Sequence, residues 1–148
     1  MLRISDRGIA FIARHEGLRL SLYKDQAGFA TIGFGHKVKS GEKFGSPISS
    51  ADAQALFRAD ILVAEEAVQQ HVQVALTQTQ YDALVSFVFN VGGSAFATST
   101  LLKQLNAGNY RKAADELLRW NKIRVKEKLT QSAGLAARRA AERQMFVE

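Results

Sequence analysis

Three polar side chains in the first quarter of the sequence have the types that acid–base chemistry requires. They are Glu16, Asp25 and Thr31, with eight residues between the two carboxylic acids and five between Asp25 and Thr31. Two carboxyl groups and one positioned water are sufficient to hydrolyse an acetal, because one carboxyl protonates the leaving oxygen while the other holds the water. This chemistry requires that the elements carrying the three residues converge on one cleft.

Glu16 occupies an unfavourable position for a charged carboxylate. It lies in the last turn of the predicted first helix, where a negative charge opposes the helix dipole. It also continues the stripe Ile9–Ile12–Glu16 on the apolar side of that helix. Because both effects disfavour the anion, we expect a carboxyl that keeps its proton near neutral pH and can act as a general acid. Taken alone, the position is equally consistent with a frayed helix end and an exposed side chain.

The other candidate residues each have a structural alternative. Asp25 is the first residue of a predicted turn and would commonly accept hydrogen bonds from that turn. Thr31 is by itself an ordinary residue of a β-strand. His36 has no second metal ligand at a suitable spacing, so we expect a hydrogen-bonded structural histidine. Since the sequence also has no Gly-rich phosphate loop and no nucleophile elbow, it predicts neither a metal nor a cofactor.

Composition restricts the class of protein. The 148 residues fit one domain without internal repeats, and no apolar run is long enough to span a membrane. The chain has no cysteine, and Arg3, Asp6 and Arg7 interrupt the apolar core that a secretory signal needs, so we expect synthesis in the cytoplasm. A net charge of +6 favours an anionic partner: nucleic acid, an acidic membrane or the bacterial wall. Without a long basic helix or an aromatic sheet face, nucleic acid has little support.

The pattern before residue 50 predicts one helix and a small sheet. The helix begins at Ser5 or Asp6 and ends at Gly17. Residues Leu18–Phe34 alternate as in an antiparallel sheet, with a turn at residues 25–28. The Gly/Ser/Lys-rich stretch Lys37–Ser49 predicts a long surface loop.

The rest of the chain reads as helical. Ser49 with Asp52 and Thr77 with Gln80 resemble capping boxes, each followed by apolar residues at helical spacing. The fold class is therefore α+β. The predicted helices cover about 50–70, 81–91, 98–106, 110–120 and 133–146.

These motifs resemble the phage-type lysozymes, the endolysins of glycoside hydrolase family 24. The resemblance is carried by HEGLR at 15–19, LYKD at 22–25 and ATIGFGH at 30–36, and the positions of Glu16, Asp25 and Thr31 match the family pattern. It continues through QYDALVSF at 80–87 and FNVG at 89–92 to the closing helix with Arg138 and Arg139. It therefore covers most of the chain.

The resemblance implies a lysozyme-like fold, in which a long helix joins a small sheet lobe to a helical lobe. It also implies inverting hydrolysis of the β-1,4 bond between N-acetylmuramic acid and N-acetylglucosamine in peptidoglycan. Glu16 would be the acid, while Asp25 with Thr31 would position the water, with carboxyls roughly 6.5–9.5 Å apart. Phe89, Asn90 and Ser99 fall where members of the family line the cleft.

The resemblance also implies how the protein meets its substrate. We expect a monomer without stable membrane insertion that acts in the periplasm and depends on a holin to reach the wall. Residues 120–132 depart from the family pattern, being longer and more charged. They predict a loop with one strongly basic face, which would hold the enzyme to the anionic wall, or a solvated charged loop. The basic residues are Lys122, Arg124, Lys126 and Lys128.

Two other functions remain open on the sequence alone. A lytic transglycosylase also uses one carboxylic acid, but it forms an anhydro ring without water, so Asp25 and Thr31 would have no water to position. A glycan-binding or nucleic-acid-binding protein could keep the fold without the chemistry. The intact set of Glu16, Asp25 and Thr31 favours the hydrolase.

Overall fold

The computed structural model describes residues 1–45 and 47–148, and in these residues the chain forms seven helices and five strands. The predicted loop at 37–49 includes Ser46, which lies outside the described residues. The architecture is α+β, as predicted. The elements are α1 (Asp6–Glu16), β1 (Arg19–Lys24), β2 (Ala30–Gly33), β3 (His36–Lys37), α2 (Ser50–His71), α3 (Gln78–Val91), α4 (Gly93–Ala97), α5 (Thr100–Asn106), α6 (Tyr110–Leu117), β4 (Lys122–Val125), β5 (Lys128–Gln131) and α7 (Ala133–Phe146).

Helix α1 has the predicted ends. The Ser5 hydroxyl accepts a hydrogen bond from Gly8 N, which satisfies one of the free N–H groups of the first turn. Gly17 follows the helix with φ 71°, a conformation that side chains with a Cβ rarely adopt. Glu16 is therefore the last helical residue, placed where the chain turns into the sheet.

The first sheet is antiparallel with the order β1-β2-β3. Tyr23 is paired with Thr31, and Thr31 with Lys37. Because directly opposed residues of antiparallel strands point to the same side, these three side chains share one face. The predicted turn closes with a hydrogen bond of 3.0 Å from Gly28 N to Asp25 O. The turn places Asp25 beside that face.

Helix α2 connects the sheet with the helical part of the molecule. Ser49 caps its start by accepting a hydrogen bond from Asp52 N, which is one of the two bonds of the predicted capping box. Its 22 residues extend for about 33 Å. The helix contacts β2 and β3 as well as α3 and α4. It is thus the long helix that the lysozyme-like fold requires.

Helix α3 forms the centre of the helical lobe. Its capping box is complete, with both the Thr77 and the Gln80 side chains bonded to the backbone. All residues from Tyr81 to Val88 are buried, because α1, α2, α4 and α7 contact this helix on several sides. Gly92 ends the helix with φ 93°, as predicted, but Gly93 begins the short helix α4, which the sequence did not predict.

Residues 120–132 form an antiparallel hairpin instead of the predicted loop. Isoleucine, valine and leucine alternate with charged residues in β4 and β5, which is a strand pattern. Lys122 and Arg124 share one face of the hairpin, whereas Lys128 is paired with Val125 on the other face. The prediction of a single strongly basic face was therefore wrong. The neighbouring helix α6 ends at Leu117, earlier than predicted.

Candidate active site

A cleft of about 860 Å³ lies between the first sheet, the end of α1, and helices α2, α3 and α7. Glu16, Asp25 and Thr31 all contribute to its wall, and so do Phe89 and Asn90. The structure therefore brings together the three residues predicted to perform chemistry and two of the three predicted to bind substrate.

The Glu16 carboxyl is held at the edge of this cleft. Its side chain is 14% exposed, and Oε2 accepts a hydrogen bond of 2.5 Å from Nη1 of Arg138 on α7. The frayed, solvent-exposed alternative is therefore wrong for this side chain. The carboxyl is therefore fixed by a charge-assisted contact with the Arg138 guanidinium.

Gly35 packs directly against the same carboxyl group. A Cβ at this position would overlap Glu16 Oε1, and the backbone has φ 72°. Space and conformation both require glycine here. The turn between β2 and β3 thus fixes the second oxygen of Glu16 from the sheet side.

Asp25 uses its two carboxyl oxygens differently. Oδ1 accepts hydrogen bonds from Ala27 N at 3.0 Å and from Phe29 N at 2.9 Å, so the predicted stabilisation of its own turn is present. Oδ2 lies 3.7 Å from Nζ of Lys37 on β3. The structural and the chemical interpretations of Asp25 are therefore compatible, because the turn occupies only one oxygen.

Thr31 has its hydroxyl proton committed to the backbone. Its Oγ1 donates to Phe29 O at 2.8 Å. The same oxygen can then act only as an acceptor towards any further group. Thr31 is almost fully buried and lies next to Tyr23 across the sheet.

The three residues predicted to bind substrate have different environments. Asn90 Oδ1 accepts a hydrogen bond of 2.8 Å from Arg139 Nη2. The amide nitrogen of Asn90 can therefore donate hydrogen bonds to another group. Phe89 packs edge-to-face on Phe57. Ser99 is buried at the start of α5, where its hydroxyl donates to Phe96 O and accepts from Leu102 N. Ser99 is not part of the described cleft wall and serves as a helix cap, so its predicted position was wrong.

Two titratable side chains of the cleft lie close to Glu16, namely His15 and Tyr23. Burial, together with the charge of Arg138, lowers the pKa of His15, so its imidazole is neutral at pH 7. Burial and the nearby Glu16 carboxyl raise the pKa of Tyr23. Around Glu16, His15 and Tyr23 are therefore uncharged at neutral pH.

His36 is a structural histidine, as expected. Its Nδ1 lies 2.7 Å from Asp60 Oδ2, and its Nε2 lies 3.0 Å from Glu42 Oε1. It anchors the end of the sheet to helix α2. Among the residues that the structure describes, no group of three or more His, Cys, Asp or Glu side chains could hold a metal ion.

Two contacts of the cleft were not found by sequence reasoning. Arg138 was assigned only to a family motif, although a pair of arginines on a partly apolar helix could have indicated a buried ionic partner. Ser132, the N-cap residue of α7, donates a hydrogen bond of 2.9 Å to Gln26 Oε1. This bond joins the turn after β1 to the helical lobe.

A carboxyl at a helix end, a second carboxyl on a sheet turn and a hydroxyl beside it can perform acid-assisted attack of water on a bound acetal. Such groups in one cleft of an α+β fold agree with the lysozyme class of glycoside hydrolases.

Comparisons with known proteins agree with this class. The family model for phage lysozyme matches residues 13–142. An endolysin of Acyrthosiphon pisum secondary endosymbiont phage 1 is 43% identical over 145 residues, covering 98% of each chain. The solved endolysin from Escherichia coli phage FAHEc1 is 37% identical with a TM-score of 0.89, over 99% of this chain and 94% of that one. The muramidase domain of SpmX from Asticaccaulis excentricus is 36% identical with a TM-score of 0.87, over 100% and 99%.

The chain belongs to the phage lysozyme family. It is a glycoside hydrolase of the lysozyme type, with peptidoglycan hydrolysis and bacterial lysis as its activity. In the part of the chain that the structure describes, no helix has both the length and the apolar character needed to cross a membrane.

Proposed function

We propose that the protein cleaves the β-1,4 bond between N-acetylmuramic acid and N-acetylglucosamine with inversion at the anomeric carbon. The observation that carries this proposal is the position of Glu16, Asp25 and Thr31 in the wall of one cleft. An inverting enzyme needs an acid on one side of the scissile bond and a carboxylate with a water on the other.

Glu16 is the general acid in this proposal. Arg138 contacts Oε2, and a protonated carboxyl can keep this bond because its carbonyl oxygen still accepts. The proton then resides on Oε1, the oxygen that packs against Gly35. After the proton has moved to the leaving oxygen, Arg138 stabilises the new carboxylate.

Asp25 and Thr31 hold the attacking water. Since the turn occupies Oδ1 of Asp25, Oδ2 is available to accept one proton of the water. Thr31 Oγ1 accepts the other, because its own proton is bonded to Phe29 O. A water that donates both protons keeps a lone pair free for attack, and Asp25 removes a proton as the bond forms.

Phe89 and Asn90 bind the sugar. With Oδ1 fixed by Arg139, the Asn90 amide nitrogen offers N–H donors to the carbonyl of an N-acetyl group. Phe89 provides an apolar wall against a sugar ring.

The anomer of the first product tests the mechanism. Uncrosslinked glycan strands are digested and followed by proton NMR before mutarotation, with mass spectrometry of the same sample. We expect the new reducing end to appear as the α-anomer. The masses of the products should add up to the mass of the cleaved strand plus one water for each bond broken. A β-anomer would refute inversion, and anhydro ends would identify a lytic transglycosylase instead.

Access to the wall is a separate part of the proposal. By its family resemblance, the protein acts in the periplasm as a monomeric single domain after a holin has permeabilised the membrane. Expression of this chain alone in Escherichia coli should leave the culture intact until chloroform is added. Lysis without chloroform would contradict holin dependence, and a dimer in size-exclusion chromatography would contradict the monomer.

A further inference from the structure

A buried ionic cluster extends from the catalytic cleft into the helical lobe. Its centre is Glu142 on α7, whose side chain is fully buried. Oε2 accepts hydrogen bonds from Ser86 Oγ at 2.6 Å and from Arg138 Nε at 3.2 Å, and Oε1 lies 2.8 Å from Arg139 Nε. One carboxyl thus contacts two guanidinium groups.

Each of these guanidinium groups reaches a cleft residue with its other end. Arg138 bonds Glu16 through Nη1, and Arg139 bonds Asn90 through Nη2. The side chains of both arginines are almost completely buried, at 6% and 0% exposure. Burial lowers the pKa of Arg139 to about 10 and raises the pKa of Glu142, so this arrangement is costly in an apolar environment.

Stability alone does not account for such a cluster. Well-packed apolar residues of similar volume often give equal or greater stability than a buried ion pair. The contacts instead lead from Glu142 to the acid and to the amide that faces the sugar. We propose that Glu142 is a positioning residue for the hydrolysis, which holds Arg138 against Glu16 and Arg139 against Asn90.

This inference rests on the proposed function, in which Glu16 is the acid. The charged and titratable groups around Glu16 include its chain neighbour His15 on α1, Tyr23 on β1, and Arg138 and Arg139 on α7. The two guanidinium groups are cations at neutral pH, and the Glu142 carboxylate offsets their charge.

Removing the charge of Glu142 leaves the two guanidinium groups only partly compensated. The positive potential at Glu16 then increases, and its carboxylate becomes more favourable. The protonated form of Glu16 that acts as the acid would then be lost at a lower pH. The side chains of Arg138 and Asn90 would also be held less firmly.

The test compares Glu142→Gln with Glu65→Gln. Glu65 is also a buried carboxyl, which accepts hydrogen bonds from Ile4 N and Tyr81 Oη, and it does not line the described cleft wall.

We expect Glu142→Gln to move the alkaline limb of the kcat–pH profile on soluble glycan strands down by roughly half a unit to one unit. This corresponds to a roughly three- to tenfold lower kcat on that limb, with a smaller change of KM. Glu65→Gln should lower the melting temperature and leave the limb in place.

The outcomes separate this inference from the proposed function. An unshifted limb in a folded Glu142→Gln variant would overturn the positioning role while leaving Glu16 as the acid. Full activity of Glu16→Gln would overturn the proposed function itself. If Glu142→Gln does not fold, Ser86→Ala replaces it, because this change removes one donor to the Glu142 carboxylate. A smaller shift in the same direction supports the inference, and no shift overturns it.

Discussion

The His36 imidazole contacts a carboxyl group with each of its nitrogens. Burial alone would lower the pKa of His36, but the hydrogen bonds to Asp60 and Glu42 outweigh it and raise the pKa above the ordinary value. The pKa of Glu42 is lowered, chiefly by the hydrogen bond from the Lys39 backbone N–H and next by the hydrogen bond with His36. The pair therefore stabilises the fold when the histidine is protonated and Glu42 is ionised.

The pH dependence of this contribution has a definite sign. Because the folded pKa of His36 is raised, its stabilisation is complete below the unfolded value of about 6.5 and is lost as the pH rises through the folded value. We expect the difference in unfolding free energy between wild type and His36→Gln to be larger at pH 6 than at pH 9. Urea denaturation at both pH values measures it. If the unfolding free energies of the two proteins changed in parallel with pH, this account would be contradicted.

At the scale of elements, the ends of α1 and the full capping box of α3 could be predicted because they depend on local residues. Each capping contact there joins residues only a few positions apart in the sequence, and the residues concerned are Ser5, Gly17, Thr77 and Gln80. The types and order of Glu16, Asp25 and Thr31, with the family resemblance, identified the candidate acid, base and hydroxyl. Arg138 could not be assigned to Glu16, since 122 positions separate the two residues and only the packing of α7 joins them.

The hairpin β4–β5 was missed because its turn lacks the usual residues. Two-residue hairpin loops favour Asn-Gly, since both central residues need positive φ. Here Lys126 and Glu127 occupy this turn with φ 49° and 66°. The sequence between Trp120 and Ser132 therefore carries no turn signal, and its charges resemble a solvated loop.

This turn predicts a stabilising double substitution. Changing Lys126→Asn and Glu127→Gly relieves the left-handed conformation of two ordinary residues and should stabilise the fold by about 1 kcal/mol. For a chain of this size the melting temperature should rise by roughly 2–4 °C. Calorimetry measures the change, with each single substitution as an intermediate. An unchanged or lower melting temperature would show that the turn is not strained.

At the scale of the whole molecule, the net charge of +6 draws the protein towards anionic surfaces. The hairpin contributes the basic residues at 122, 124, 126 and 128, and Lys122 and Ile123 belong to the cleft wall. Because these charges occur on both faces and at the turn, they can act on the wall polymer around the cleft rather than through one flat surface.

Matched charge removal distinguishes a local from a general effect. Replacing the four hairpin cations with glutamine should lower the lytic rate at low salt severalfold and flatten its salt dependence, since Lys122 lines the cleft and the other three charges belong to the same hairpin. The control carries the same change at four exposed helical positions, Arg58, Lys103, Arg111 and Lys112. Turbidity decrease against sodium chloride concentration measures both. Equal effects would assign the attraction to net charge alone, and an unchanged salt dependence of the hairpin variant would contradict wall binding.

The clearing rate of outer-membrane-permeabilised Gram-negative cells by Glu16→Gln tests the central claim most directly. The substitution keeps the shape of the side chain but cannot donate the acidic proton. With folding verified by circular dichroism, we expect a rate at least about 100-fold below wild type, whereas the exposed control Glu66→Gln on α2 clears normally. Clearing by Glu16→Gln at the wild-type rate would show that this carboxyl is not the acid.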